Sequence, residues 1–413
     1  MRAPVRRVVI TGTGAVSPYG VSVGTLMENL FANRTAVRSM REQWEPKIRD
    51  LSCWVGAPVM EPLDPKSIPR KFRRGMGPTA IMALLASQEA IGHARIPESA
   101  ISSGRMGVSF ASTTGSALSM EQFFQEYFQK AEIKNLPSGI FFQIMSHTAA
   151  ANIAYAYNIC GRVISPNAAC ASSSQAIGLG FEAIQQGHQD IMLCGGADEL
   201  HPVVSACFDL VHACSYKYND EPTRTPRPFD RDRDGTVCGE GAGAVILESE
   251  ESALQRGTPI LAEILGFATM ADGTHMAESH TQSVKFCMKR AIENAHGEPG
   301  DIEYINAHAT GTEVGDRAEA EAIRELFGDH AVPVSGFKGY LGHTLGASGV
   351  LELIICLKML DQGRIIPTRN LDNPGEGCEG IHHVIALEER KIKTFVKNNF
   401  AFGGINSVLV LRR

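Results

Sequence analysis

Two hydrophobic rhythms alternate along this chain. Short runs rich in β-branched and aliphatic residues recur at 7–11, 105–110, 162–165, 190–196, 243–248, 262–267, 302–306, 332–335 and 408–411. Between them lie longer stretches with apolar residues at helical spacing, at 78–93, 170–186, 282–295, 314–327 and 347–361. The first pattern predicts buried strands and the second predicts helices. Strands separated by helices along one chain imply sheets covered by helices, the α/β class.

The alternation contains a faint internal repeat. Val163-Ile-Ser-Pro-Asn-Ala-Ala-Cys170 is a strand entering a turn of small residues, followed by a helix that ends at Ile184-Gln-Gln-Gly187. Val332-Pro-Val-Ser-Gly-Phe-Lys338 leads through Gly342-His343-Thr-Leu-Gly346 into a helix that ends at Leu360-Asp-Gln-Gly363. Chance similarity between two strand–loop–helix units is an equally open explanation. A true repeat predicts two pseudo-symmetric halves, 1–255 and 256–413, with a site between them built from both helix starts. Residues 221–234, rich in Pro, Arg and Asp and lacking periodicity, read as a long surface excursion.

Composition narrows the class. The 413 residues are 44% hydrophobic and 20% charged, an ordinary globular balance, with a formal net charge of −6. An acidic balance argues against a nucleic-acid partner, which needs a basic face to neutralise phosphates. No stretch approaches the roughly 18 uninterrupted apolar residues of a membrane span. The N-terminal Val8-Val9-Ile10 core is too short for a signal peptide. The expectation is a soluble, cytoplasmic protein with no membrane partner. None of the ten cysteines forms a CxxC pair, which speaks against a metal cluster or a disulfide framework.

Three motifs fail on inspection. Gly12-Thr-Gly14 follows a strand, but Ser17 stands where a dinucleotide fingerprint needs its third glycine, so a tight strand–loop turn is the better reading. Asp230-Arg-Asp232-Arg-Asp234-Gly235 imitates a calcium loop, yet the bidentate glutamate position holds Gly241 and two arginines sit among the ligands. His382-His383 reads as a solvated loop pair.

A further set of residues points to chemistry. Cys170, in Asn167-Ala-Ala-Cys-Ala-Ser-Ser-Ser174, directly precedes a helix of small and apolar residues. Unpaired N–H groups and positive potential at a helix start favour thiolate over thiol, predicting a pKa below the usual value of about 8.5. The competing reading is a structural core cysteine. His308, in Asn306-Ala-His-Ala-Thr310-Gly-Thr312, and His343 each follow a strand and are bracketed by glycine or small residues. Two such histidines, Lys338 and a helix-start cysteine suggest acyl transfer, with the cysteine as nucleophile and the histidines as donors to a developing oxyanion. Phe400 and Phe402, on the turn of Gly403 and Gly404, read either as core packing or as a mobile aromatic gate.

Together, residues 167–174, 306–316, 338–349 and 399–406 resemble, in order, four signature stretches of the elongating β-ketoacyl-acyl-carrier-protein synthases, condensing enzymes of type II fatty-acid and polyketide synthesis. The resemblance spans nearly the whole chain, and some stretches, such as 141–150, look closer to synthases of aryl-polyene or other specialised pathways. It implies an α/β, thiolase-like, five-layered αβαβα fold of two pseudo-symmetric halves.

The resemblance also implies roles. Cys170 would accept the acyl chain. His308 and His343 would hold the malonyl thioester carbonyl and stabilise the enolate formed on decarboxylation. Lys338 would set the electrostatics, paired with Glu352 on the following helix. Backbone N–H groups of Cys170 and Phe402 would form the oxyanion hole. Thr310 and Thr312 match positions touching a phosphopantetheine arm, Phe208 an acyl-pocket residue, and Thr114 the place where an aliphatic residue limits chain length. Asp316 and Glu319 match acidic supports of the site loops. Arg70, Lys71, Arg73 and Arg74, the densest basic run, correspond to a segment that docks the acidic acyl carrier protein; a solvated helix end is the alternative.

Several positions depart from the pattern: Ala309 and Gly311 around Thr310, Gly339 where a serine usually follows the lysine, and Ala401 and Ile405 beside the gate. No bound cofactor is implied, since substrates ride on the carrier's phosphopantetheine. The protein would form a homodimer, or a heterodimer with a related ketosynthase or chain-length subunit. Two alternatives remain: a coenzyme A-dependent thiolase, which would normally need a second cysteine beyond Cys378, and a chain-length-shaping partner subunit, which typically lacks the nucleophile.

Overall fold

The computed structural model describes residues 5–61 and 63–413. Ten of its strands fall into two sets of five. The first set is β1 (Val8–Ser17), β2 (Met106–Ala111), β3 (Val163–Ile164), β4 (Ile191–Asp198) and β5 (Gly241–Ser249). The second is β6 (Ala262–Ala271), β7 (Tyr304–Asn306), β8 (Pro333–Ser335), β9 (Thr394–Ala401) and β10 (Ile405–Arg412). The spatial orders are β3-β2-β4-β5-β1 and β8-β7-β9-β10-β6. In both, the third, second and fourth strands run parallel, while the fourth, fifth and first pair antiparallel. The same five-strand topology thus occurs twice. The two first strands pair edge to edge, Val8–Ile10 with Ala262–Ile264, and merge the sets, with the short strands Gly20–Val21 and His382–His383, into one mixed sheet of twelve strands.

Eight helices frame the sheet and the site: α1 (Pro78–Ala94), α2 (Ala117–Lys130), α3 (Thr148–Tyr157), α4 (Ser172–Gln185), α5 (Pro202–Leu210), α6 (Thr281–Asn294), α7 (Glu313–Phe327) and α8 (Ser348–Gln362). Helices α4 and α8 are sandwiched, touching strands of both halves. Their sequences fit that position. In α8 the run from Val350 to Leu357 is buried on every side, the pattern of a helix with no solvent face. In α4 small residues permit close approach. Helices α1 and α3 cover the outer face of the first half, and α6, with α7 against it, covers the second. The layers therefore run helix, sheet, helix, sheet, helix, a thiolase-like α/β arrangement.

Several expectations change in three dimensions. Gly12 and Gly14 lie inside β1 and not in a turn. A Cβ at Gly14 would sit 2.0 Å from the Ala86 carbonyl and one at Gly12 2.4 Å from that of Ala90, so these glycines let α1 press onto the strand. The 221–234 segment is no surface excursion between 225 and 230. Thr225, Arg227, Phe229 and Asp230 are buried, and Arg227 pairs with Asp230 at 3.0 Å and Asp372 at 2.6 Å. Ion pairs and side-chain-to-backbone bonds hold that loop, which is why it shows no hydrophobic periodicity. His382 and His383 form a short half-buried strand paired with β8, and His383 Nε2 lies 2.7 Å from the Cys378 carbonyl.

The middle layer gives a direct test. A Cβ on Gly178 of α4 would fall 2.2 Å from the Phe267 ring on β6 of the other half. On helix propensity alone Gly→Ala stabilises by about 1 kcal/mol. Here the clash dominates, and Gly178→Ala is expected to destabilise by about 1–3 kcal/mol, the usual cost of overpacking. A lowered midpoint in thermal or urea denaturation checks the sign.

Candidate active site

Cys170 sits in a tight turn, Ala169–Ala171, leading into α4, with Ala169 at φ 45°. The turn places a buried Sγ 2.9 Å from His343 Nε2. His343 arrives from the second half, just past the short helix Lys338–Leu341 that follows β8. His308 comes from the loop after β7, its ring centroid 5.4 Å from that of His343. Cys170 and the histidines therefore come from different halves and meet between the two buried helices.

Hydrogen bonds assign the ring tautomers. The Leu345 N–H donates to His343 Nδ1 at 3.3 Å, so the proton of the neutral ring resides on Nε2. His308 Nδ1 lies 3.4 Å from Lys338 Nζ and 3.4 Å from Asn399 Nδ2. The Asn399 amide is oriented because its Oδ1 accepts from Lys397 Nζ at 2.9 Å and from Ser174 Oγ. Both neighbours of Nδ1 are donors, which puts the His308 proton on Nε2 as well. Burial, reinforced by Lys338 and Lys397, holds both histidines well below the ordinary imidazole value, so both are neutral near pH 7. The site thus presents two neutral Nε2–H donors beside one sulfur.

The charge behind them is a buried trio. Lys338 Nζ lies 2.8 Å from Glu352 Oε1, and Lys397 Nζ lies 2.8 Å from Glu352 Oε2. Lys338 also donates to the His308 carbonyl. Burial would raise the Glu352 pKa, but the two lysines outweigh it and hold the carboxyl below its usual range. The carboxylate of Glu319 accepts from the His308 and Ala309 N–H groups at 2.9 and 2.8 Å and from Asn398 at 3.0 Å. Asp316 accepts from the Phe229 N–H at 2.7 Å and from the Gly311 N–H, while burial pushes it up to about 6. These two acids fix the loop carrying His308, in which Ala309 and Gly311 have φ of 26° and 83°.

One expectation is corrected here. The Cys170 thiol is not acidified at rest: burial pushes it up to about 12, outweighing Lys338 and the Phe402 N–H that favour the thiolate. The loss of water around Sγ exceeds what the turn supplies, so Cys170 rests as a thiol.

Two cavities meet at Cys170. One, of about 790 Å³, is the access side; Thr310, Thr312, His308, His343, Phe400 and Phe402 line it. The other, of about 710 Å³, is walled mostly by apolar side chains and includes Thr114, Phe208 and Phe402. Phe402 and Phe208 border both, with ring centroids 5.4 Å apart. Phe402 sits half-buried on the β9–β10 turn, whose Gly403 and Gly404 have φ of 85° and 70°, the left-handed region that favours glycine. Asn398, Asn399 and Phe400 belong to β9, so only the turn itself interrupts the strand pair. At Gly339 a Cβ would fall 2.7 Å from the Arg369 carbonyl, which explains the absence of a side chain there. Arg70, Lys71, Arg73 and Arg74 form an exposed short helix. Among the described residues none of the four pairs with a carboxylate, and none lines the access cavity.

Three groups of the site escape a reading of the sequence. Lys397 and Asn399 lie on β9, and a lysine directly after the apolar pair Phe395-Val396 is the signal that could find them. Asp198, at the end of β4, accepts from Ser112 Oγ at 2.8 Å, the Thr113 N–H at 2.9 Å and the Gly346 N–H at 2.7 Å, tying β2 and β4 to the turn before α8. Nothing in the sequence around it marks that role. The Cys170, His308 and His343 ligand atoms lie within 4.8 Å of one another, a spacing a metal could also use. The two ammonium groups behind them and the Nε2–H tautomers suit a developing negative charge on substrate and oppose a cation.

Comparisons with known proteins agree with this fold. The family models "Beta-ketoacyl synthase, N-terminal domain" and "Beta-ketoacyl synthase, C-terminal domain" match residues 5–253 and 261–372. The chain is 35% identical over 409 residues to 3-oxoacyl-[acyl-carrier-protein] synthase 1 of Haemophilus influenzae, covering 99% of each protein. It is 32% identical to the tetracenomycin polyketide synthase ketoacyl synthase alpha subunit of Streptomyces glaucescens, covering 99% of this chain and 97% of that protein. Among solved structures, a β-ketoacyl synthase from Burkholderia phymatum superposes with a TM-score of 0.95 at 39% identity over 99% of both chains. AntDE:AntF, a type II polyketide ketosynthase in complex with its acyl-carrier protein, gives a TM-score of 0.90 at 28% identity, also over 99% of both chains.

The buried thiol sets an expected pH profile. With its pKa near 12 in the folded state, the thiolate fraction of Cys170 rises about tenfold per pH unit throughout the neutral and mildly alkaline range. Iodoacetamide alkylation of Cys170, followed by peptide mass mapping, is expected to accelerate from pH 7 to 9 without a plateau. A plateau above pH 7 would mean an acidified thiol.

Proposed function

The chain belongs to the β-ketoacyl synthase family, and we propose that Cys170, His308 and His343 form its reaction centre, with Lys338 governing their charge. The protein is a 3-oxoacyl-acyl-carrier-protein synthase, an acyltransferase that joins an acyl thioester to a malonyl thioester with loss of carbon dioxide. The observation that carries the site assignment is the pair of neutral Nε2–H donors converging beside Sγ where two cavities meet.

In this reading Sγ attacks the carbonyl of an incoming acyl thioester. The Cys170 and Phe402 N–H groups stabilise the tetrahedral oxyanion, and the carrier thiol leaves with the proton that Sγ gave up. The acyl chain then occupies the apolar cavity and the access cavity is vacant for the second substrate. His308 and His343 donate to the malonyl thioester carbonyl, so that loss of carbon dioxide leaves an enolate held by two hydrogen bonds. Its carbanion attacks the acyl-Cys170 carbonyl, the C–S bond breaks, and the 3-oxoacyl thioester departs. Neutral donors suit this step, because a protonated imidazolium would quench the carbanion that the chemistry needs.

Phe402 acts as the gate, hinged on Gly403 and Gly404. Thr310 and Thr312 contact the phosphopantetheine arm, and Thr114 and Phe208 shape the acyl end. Residues 1–255 supply the nucleophile and 256–413 the histidines. The acyl carrier protein brings both substrates, and the unpaired cations of 70–74 attract its acidic surface. Exposed Val163 on edge strand β3, with exposed Phe128 and Phe141 in the same half, offers an apolar face for a dimer partner, the same chain or a related subunit. Among the described residues no helix is long and apolar enough to cross a membrane.

Intact-mass spectrometry with acyl-carrier thioesters tests the centre. An acyl adduct on the wild type that disappears in Cys170→Ala is the expected result. An unchanged adduct in the variant would place the nucleophile elsewhere. His308→Ala and His343→Ala are each expected to slow condensation by about 10²–10³, the usual effect of removing one oxyanion donor, as read from the rate of 3-oxoacyl product formation.

Docking has its own readout. Arg70→Glu combined with Arg73→Glu is expected to raise KM for carrier-bound substrate at least severalfold, more at low salt, while a free pantetheine thioester is turned over as before. Equal effects on both substrates would remove the docking role.

A further inference from the structure

The arginine-bearing segment that imitates a calcium loop has a role of its own. Its Arg233 is only 6% exposed, and among the described residues all of its hydrogen bonds go to backbone carbonyls. Nη1 donates to Asp230 at 2.9 Å, Nε to Thr312 at 3.3 Å and Nη2 to Glu313 at 3.0 Å. Gly375 makes room for it, since a Cβ there would fall 2.0 Å from Nη1. Two physical costs oppose this placement. A buried charge without an ionic partner is expensive, and the start of a helix, here α7, disfavours cations.

What Arg233 grips is part of the access cavity. Thr312 and Glu313 line that cavity together with Thr310, whose hydroxyl lies 3.0 Å from that of Thr312. Two residues beyond Arg233, the Gly235 N–H donates to the Gly311 carbonyl at 2.9 Å. Gly311 gives its own N–H to Asp316 at 3.1 Å. With Ala309 and Gly311 at positive φ, the loop keeps its shape through these outside bonds. Arg233 also faces Asp316 electrostatically. Burial pushes that carboxyl up to about 6, the Phe229 N–H and Arg233 draw it down, and Glu319 pushes it up again. The Cys378 thiol is a further titratable group beside it.

We propose that Arg233 is a positioning residue of the access cavity: its forked guanidinium fixes the 310–313 loop where the phosphopantetheine arm requires it. Arg233 does not line the cavity and acts only through the loop. The planar fork matters, because it reaches two successive carbonyls at once; a lysine would keep the charge and lose that geometry. The second effect is on charge. An ionised Asp316 holds Gly311, and the neighbouring guanidinium keeps it ionised to lower pH. The inference rests on the proposed reading in which Thr310 and Thr312 contact the arm.

The test measures condensation with a malonyl pantetheine thioester, which carries the arm but no carrier surface. In Arg233→Met its KM is expected to rise about tenfold or more, within the roughly hundredfold that a misplacement of about 1 Å can cost. Arg233→Lys is expected to raise KM in the same way. The two variants part in pH dependence. Asp316 takes up a proton as pH falls through about 6, and activity is expected to fall with it. Arg233→Met, lacking the nearby positive charge, moves this acid limb to higher pH, while Arg233→Lys leaves it in place. Asp198, also pushed up to about 6, titrates alike in all three proteins, so only the displacement counts. An unchanged KM in either folded variant would overturn the inference. So would a loss confined to kcat with KM and the acid limb unmoved, the mark of a purely structural residue. If Arg233→Met fails to fold, the KM of Arg233→Lys decides. Absence of product from the wild type would instead defeat the proposed reaction itself, and the inference along with it.

Discussion

One carboxylate, that of Glu352, answers for two buried ammonium groups, and the chemistry of the site depends on that imbalance. Lys338 and Lys397 are both fully buried and both lie 2.8 Å from Glu352. A buried cation without a partner either loses its proton or unfolds its surroundings. Burial does lower the Lys397 pKa, and Glu352 is what pulls it back. The excess of positive potential then does two things. It adds to burial, the larger cause, in keeping His308 and His343 neutral, and it favours negative charge on anything placed before them. The trio also joins three separate pieces of chain: the helix after β8, α8 itself and β9.

That field also reconciles a thiol at rest with a nucleophile in action. Lys338 and the Phe402 N–H favour a thiolate at Sγ, Cys238 and Asp198 oppose it, and desolvation dominates. The same dry, positively biased pocket that withholds ionisation at rest strengthens every hydrogen bond to an oxyanion or enolate once formed, because fixed dipoles in a low dielectric need not reorganise. A pocket open to water would give a more acidic thiol and weaker transition-state contacts.

The α/β class is legible in the sequence because both elements of the middle layer are extreme: α8 is almost wholly apolar from Val350 to Leu357 apart from Glu352, α4 is rich in small residues, and each follows a short β-branched run. The repeat is visible for the same reason, and the matched strand orders of the two halves give it a structural meaning. The catalytic types can be read from Cys170, His308 and His343 in their glycine-rich brackets. What the sequence conceals are relations between distant segments. Glycines 12 and 14 look like a loop because their role, contact with α1, has no local signal. The buried 225–230 loop looks exposed because Arg227 and Asp230 satisfy each other in space. The Cys170 pKa is misjudged from sequence since a helix start is visible there and desolvation is not. Lys397 and Asp198 escape notice because their meaning lies entirely in partners contributed by other elements.

The order in which the site's parts occur along the chain has a consequence for biosynthesis. Cys170 emerges early, the histidines much later, and Lys397, Asn399 and the Phe402 turn come on the final strand pair. A nascent chain therefore carries a cysteine with no oxyanion donors opposite it, and any product halted before β9 lacks both the second ammonium group and the gate. The proposed acyl transfer therefore needs the β9–β10 hairpin paired with β6 and β7. In the proposed reaction, competence waits on a segment that is synthesised after the cysteine and both histidines.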